Sequence, residues 1–243
     1  MREVFAIAFG IVLGVLVTLA ALFSPQILPP PSYEISVSEC SSDPSQSEII
    51  LPPPNHSGST VEDAIAQRRS VREYSASPIT LAELSQILWA AQGITGESGG
   101  RAAPSAGALY PIELYIVPSR IEGLSCGIYH YVPSGHKLVL FKEGNFTEGV
   151  YRAAGSQVHV RDAAAVIIFT AVRERTAQKY GESADTLIAM EAGHISENIL
   201  LQSVSLGLGA VPVGGFDQRA LDQLLGINGS GESSLYLNCI GRP

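Results

Sequence analysis

Two hydrophobic rhythms alternate along most of this chain. The helical one is clearest in LAELSQILWAAQ, where Leu81, Leu84, Ile87, Leu88 and Ala91 fall on one face. Thr80 stands before it with Glu83 three residues on, the spacing of a capping box, and Gly93 stops it. Thr60 and Asp63 form an acidic variant of the same box and predict a first helix running to about Arg69. Further helices are predicted at 146–154, 173–180, 185–206 and 217–225. The longest, 185–206, is apolar through its middle, which requires burial, as at a subunit interface. Strands are predicted at 113–117, 127–132, 137–141 and 235–240, with a short one near Val211. Residues 163–172 are apolar on both faces and predict a central strand. Residues 94–107, rich in Gly, Ala and Ser, read as loop. This intermixing gives the α+β fold class, with one mixed or antiparallel central sheet flanked by helices.

The first 58 residues follow another pattern. Val4 to Phe23 is a run of 20 residues with no charge and one hydroxyl, Thr18. About 20 apolar residues cross a bilayer, and the run exceeds the ~7–15 residues of a signal-peptide core. Residues 1–23 are therefore expected to be a transmembrane anchor, with a cleaved signal segment and a secreted domain as the alternative. Arg2 is the only nearby basic residue and places the domain on the extracytoplasmic side. Residues 24–58 carry Pro29–Pro31 and Pro52–Pro54 around a Ser-rich stretch. Prolines lack an amide donor, so this segment is expected to build neither sheet nor helix and to act as a linker. The domain proper is then 59–243.

Composition narrows the function classes. At 243 residues and 46% hydrophobic, the chain builds one real core, and at 16% charged it is no coiled coil or disordered acidic chain. A formal charge of −8 excludes a sequence-independent grip on nucleic acid. The cysteines Cys40, Cys126 and Cys239 form no CxxC pair, and are expected to be neither a disulfide framework nor a four-cysteine zinc site.

Four stretches carry candidate chemistry. In Arg68-Arg69-Ser70-Val71-Arg72-Glu73-Tyr74, cations sit at a helix C-terminal end, where the dipole is negative. The following turn can aim Arg68, Ser70 and Arg72 at one anion; a solvated basic helix end is the plainer alternative. Arg101 to Pro111 is rich in small residues that let the backbone approach a flat ligand, though an ordinary glycine-rich loop has the same composition. Gly207 to Phe216 again offers exposed amides. Lys179 and Tyr180, side by side, can both transfer protons, as can many surface pairs.

Arg-Arg-Ser-Val-Arg-Glu-Tyr, Pro-Ser-Ala-Gly-Ala-Leu-Tyr-Pro, Gly-Ile-Tyr-His-Tyr, Lys-Tyr-Gly, Glu-Ala-Gly-His, Gly-Leu-Gly and Ile-Gly-Arg-Pro occur in that order. Together they resemble the flavin-dependent nitroreductase superfamily, and within it the SagB-type dehydrogenases and azoline oxidases, over 61–243. The resemblance implies a homodimer with FMN at its interface. It implies that Arg68, Ser70 and Arg72 grip the ribityl phosphate and pyrimidine edge, with Arg242 reaching the phosphate. It implies that Pro104, Ser105, Ala106 and Gly107 line the flavin from the partner subunit. Pro212, Val213, Gly214 and Gly215 would lie along the ring with an amide near N5, and Lys179 and Tyr180 would be catalytic. The implied reaction passes hydride between flavin N5 and a small or peptide-derived substrate. After Lys-Tyr-Gly the branch continues into an Arg-Gly-Tyr-Arg stretch, where this chain has Glu182-Ser183-Ala184-Asp185.

Other readings compete. Gly123-Leu124-Ser125-Cys126-Gly127 matches the G-x-S-x-G elbow of serine hydrolases, with Asp162 or Asp185 and then His194 in chain order. That elbow needs a helix after it, and here a strand is predicted. His130, His136, His159 and His194 lack HExxH spacing, so no metal site is expected. A non-catalytic flavin-binding module would keep the arginines and lose the open flavin face. The sequons at Asn55, Asn145 and Asn228 matter only in a glycosylating secretory route.

Overall fold

The computed structural model describes residues 47–229 and 231–243. The expected membrane span, 4–23, and most of the expected linker lie outside them. Among the described residues no helix is long and apolar enough to cross a membrane. The strands are β1 (Glu48–Ile50), β2 (Ile112–Pro118), β3 (Gly127–Val132), β4 (Lys137–Glu143), β5 (Ala165–Ala171), β6 (Gly209–Val213) and β7 (Ser233–Gly241). They form one sheet in the order β1-β4-β3-β2-β5-β7-β6, and every pairing is antiparallel. The helices are α1 (Val61–Gln67), α2 (Leu81–Gln92), α3 (Thr147–Ala153), α4 (Val158–Asp162), α5 (Arg173–Tyr180), α6 (Ala184–Ser205) and α7 (Gln218–Leu225).

Each sheet face has its own core. On one, Leu84 and Leu88 of α2 and Ile195 and Ile199 of α6 cluster with Leu114, Ile116, Ile167 and Phe169. On the other, Val150, Val160, Leu221 and Leu225 cluster with Tyr115, Val117, Ile168 and Leu237. Successive strand residues point to opposite faces, so β5 serves both cores and is buried at every position. That is why the 163–172 run is apolar throughout.

Local signals act as their chemistry demands. Thr80 and Glu83 make a reciprocal capping box on α2, and Thr60 accepts from the Asp63 amide at the start of α1. Two elements depart from the sequence reading. The five-residue α4 has no side-chain cap to announce it. Residues 48–50, expected to form no sheet, make the edge strand β1. Glu48, Ile49 and Ile50 pair with Val139, Leu138 and Lys137, and Lys137 Nζ lies 2.9 Å from Glu48 Oε2. Leu51 is buried behind it. Prolines 52–54 follow the strand rather than interrupt it, and an edge strand tolerates that. The Pro52 carbonyl accepts from Ser85 Oγ at 2.6 Å and lies 3.1 Å from His136 Nε2, while Tyr131 Oη lies 2.9 Å from His136 Nδ1. The segment is thus fastened to the domain.

Cys239 is a free thiol, pushed up to about 12 by burial, whereas Cys126 is disulfide-bonded. Too few cysteines for a framework still leave room for a single bridge.

Candidate active site

The first half of the site is a strip beside the edge strand β6. After the Arg68 N–H closes α1 on Ala64 O, the chain turns extended, Ser70 makes a parallel bridge with Ala210, and Val71 N donates to Ala210 O at 3.1 Å. Two candidate stretches far apart in sequence therefore lie side by side. Their approach depends on Gly209, where a β-carbon would sit 2.6 Å from Val71 Cγ1. Gly209→Ala is expected to destabilise the protein by about 1–3 kcal/mol through overpacking against a stiff β-branched side chain, read as a lower denaturant midpoint.

Ser70 and Arg72 are exposed and Arg68 is half-buried. Among the described residues no carboxylate pairs with Arg72, and Arg68 reaches only Glu197, at 3.9 Å and half in solvent, a weak hold. Two guanidinium groups and a hydroxyl are thus free for an anion. Beyond β6, Gly214 and Gly215 are exposed, and a β-carbon at Gly215 would meet nothing within 4 Å, which leaves open backbone for a flat ring. Val213 points into the core, so only its backbone can serve a ligand. Arg242 is engaged elsewhere. Its guanidinium binds both Glu83 oxygens, at 2.8 and 2.9 Å, and the Pro78 carbonyl at 3.0 Å. Arg242 thus makes an ion pair with the α2 capping residue in addition to any role at a phosphate.

The second half is the loop 101–111 and the helix above it. Gly107, Ala108 and Tyr110 have positive φ (63°, 54° and 47°), a costly backbone for the last two. The loop is held closed by Tyr110 N donating to Ser105 Oγ (2.9 Å), Arg101 N donating to Tyr110 Oη (3.1 Å), and the Arg101 guanidinium 4.3 Å above the Tyr110 ring. Arg175 and Lys179, one turn apart on α5, face this loop. Arg175 Nη1 donates to Tyr110 O (3.0 Å) and Glu113 Oε1 (2.5 Å). A β-carbon at Gly107 would sit 2.9 Å from Lys179 Nζ and 3.0 Å from Tyr180 Oη. The expected catalytic pair thus stands directly over the Pro-Ser-Ala-Gly element, and glycine is what makes room for it. Among the described residues no hydrogen bond or ion pair joins this half to the first within one chain.

Glu113 also contacts His130, with Oε2 2.8 Å from Nε2. Burial pushes its carboxyl up, but the His130 and Arg175 hydrogen bonds outweigh that and hold it below the ordinary glutamate value. A depressed carboxyl pKa adds stability above the unfolded value of 4.5 that is lost as pH falls through the folded value. Glu113→Gln is therefore expected to destabilise the protein at neutral pH and to flatten its loss of stability below about pH 4.5, measured by urea unfolding across pH.

The hydrolase elbow is absent. Gly127 begins β3 directly after Ser125–Cys126, Asp162 pairs with Arg161, Asp185 pairs with Arg173, and His194 is exposed on α6. Among the described residues no three His, Cys, Asp or Glu groups converge on a metal position. Arg175 and Glu113 hold the loop and were left without a role by the motif reading, as was Glu191, buried on α6 with Oε1 unpartnered. Glu191 had one visible signal: an acid on the apolar face of the long helix, between Ile188 and Ile195.

The sequence profile of the nitroreductase family matches residues 65–242. The chain belongs to the nitroreductase family. It is 41% identical over 182 residues to a candidate nitroreductase of Methanocaldococcus jannaschii, covering 75% of this chain and 90% of that one. It is 29% identical to an NADPH-flavin oxidoreductase of Vibrio harveyi over 76% of this chain and 65% of the other. A trifolitoxin-processing protein of Rhizobium leguminosarum matches at 31% over 47% of this chain and 32% of its own length. A solved structure of a candidate nitroreductase from Ralstonia eutropha superposes with a TM-score of 0.72 at 31% identity, covering 81% and 90% of the two chains. This nitroreductase-family protein is an oxidoreductase of the flavin type with an α+β fold.

Proposed function

We propose that this nitroreductase-family enzyme binds FMN between two copies of the chain and belongs to the SagB-type branch. The observation that carries this is that, among the described residues, no hydrogen bond or ion pair joins the cationic strip and open glycines to the Pro-Ser-Ala-Gly loop beneath Lys179 and Tyr180. A two-fold dimer brings one half of each copy to the other half of its partner.

The residues fit the group. Arg68 and Arg72 present fixed cations for a phosphate, with Ser70 donating between them. Beyond Pro212 and Val213, a β-carbon at Gly215 would meet nothing within 4 Å, and one at Gly214 would meet only the Tyr236 ring, at 3.5 Å. The small residues Ala106 and Gly107, with Pro104 and Ser105, suit the other side of a flat ring. When bound, FMN supplies two-electron chemistry at N5. The chain supplies the rest. Its arginines hold the phosphate, its amides orient the ring, and a substrate proton passes, where it leaves, to Lys179 Nζ as the free amine or to Tyr180 Oη as the phenolate. The substrate class is a small or peptide-derived molecule with an acidic ring or α-proton. The match to a toxin-processing protein and the Lys-Tyr pair support the peptide-derived arm; the Glu182–Asp185 stretch marks a substrate side unlike that of azoline oxidases.

We place the domain outside the cytosol, tethered by residues 1–23. The disulfide at Cys126 supports this, because disulfides persist mainly in oxidising compartments. The test of the flavin reading is the visible spectrum of the full chain purified in detergent, with the released cofactor identified by mass. A flavin spectrum with FMN released is expected. A colourless protein that takes up no added FMN would overturn it.

A further inference from the structure

Gln157 stands in the turn between α3 and α4, just before Val158. Its Nε2 donates to the Ala154 carbonyl at 2.7 Å and to the Gly215 carbonyl at 2.8 Å. Both partners are acceptors, so the nitrogen of the side-chain amide, not its oxygen, must face them. Ala154 caps the C-terminal end of α3, where the last carbonyls have no partner within the helix. The turn that aims Gln157 is strained, with Gly155 and Ser156 at positive φ (68° and 57°), a costly backbone for the serine. Beside it, Asp217 N donates to Ala153 O at 2.7 Å. The run between β6 and α7 is thus fastened twice to the end of α3, once on each side of Phe216.

That run needs fastening. Gly214 and Gly215 have the freest backbone of any residue type, and a β-carbon at Gly215 would meet nothing within 4 Å. Among the described residues the N–H groups of Gly214, Gly215 and Phe216 have no hydrogen-bond partner. The Gly215–Phe216 peptide is planar and trans, so a carbonyl held by Gln157 turns the Phe216 N–H to the opposite side. We propose that Gln157 is a positioning residue: its one amide fixes this peptide plane and so sets how the 214–216 backbone is presented to the flavin. The effect on the cofactor rests on the reading that the flavin lies along this run.

The test therefore reads the run and the flavin separately. In the full chain free of FMN, Gln157→Glu is expected to speed amide hydrogen exchange at Asp217 about fivefold or more, because a carboxylate has no proton for either carbonyl. Riboflavin, which lacks the phosphate, should bind this variant more weakly by a similar factor. Gln157→Met, of similar length and without a donor, should behave alike. Gln157→Lys, whose ammonium can donate to both carbonyls at the helix end, is expected to restore both readings. A space-filling role predicts the reverse order, since Glu is the isostere of Gln. Wild-type exchange at Asp217 in Gln157→Glu would overturn the proposal whatever the flavin does, and so would a Lys variant no better than the Glu variant. Faster exchange with unchanged riboflavin affinity would uphold the brace on the run and overturn instead the placing of flavin along it.

Discussion

Replacing Lys179 by alanine is expected to lower turnover about 10²- to 10⁴-fold while FMN stays bound, the range that a positioned proton-transfer group contributes. Lys179 makes no salt bridge among the described residues, and it is exposed on the last turn of α5. Little of the fold depends on it, so stability should move by no more than about 0.5 kcal/mol. Tyr180→Phe keeps the ring and removes the hydroxyl that stands over Gly107, and should lower turnover with little change in KM. Steady-state kinetics with flavin occupancy read from absorbance checks both. Full turnover in Lys179→Ala would remove the pair from the chemistry.

Arg72→Ala is expected to weaken FMN binding about 10- to 100-fold, the loss of about 1.5–3 kcal/mol from one hydrogen-bonded charge contact. Arg72 is the better probe of the strip, because Arg68 also faces Glu197 and its removal frees that carboxylate. The control is riboflavin, which lacks the phosphate. If Arg72 holds the phosphate, its loss should weaken FMN and leave riboflavin unchanged in a fluorescence titration. An equal loss for both flavins would move Arg72 from the phosphate to the ring.

What sequence reveals here follows the range of the forces involved. Capping boxes act within three residues, so the starts of α1 and α2 can be read directly from Thr60-Asp63 and Thr80-Glu83. Burial on both faces leaves its mark on composition, so β5 is legible too. β1 is not, because its three residues gain their order from β4 and from the Ser85 and His136 hold on the Pro52 carbonyl, all remote in sequence. The run of prolines dominates a local reading and hides the pairing just before it. The site shows the same division. The arginine strip and the Lys-Tyr pair are legible as residue types, but their neighbours are not. That Ser70 lies along Ala210, or that Gly107 lies under Lys179, is a product of the fold. Arg242 is instructive: it looks free in sequence, while Glu83, already used for a cap, has a second face turned to it.

The central claim is that each flavin site is built from two chains, the Arg72 strip of one and the Lys179 loop of the other. Co-expression of Arg72→Ala and Lys179→Ala chains, assayed at an FMN concentration that fills wild-type but not Arg72→Ala sites so that each parent dimer is nearly inactive, tests it most directly. Random pairing makes about half of the dimers mixed, and each mixed dimer then holds one site with both residues intact. Activity should return to about a quarter of wild type per chain. If both residues serve a site within one chain, every site carries a defect, and the mixture stays as inactive as its parents.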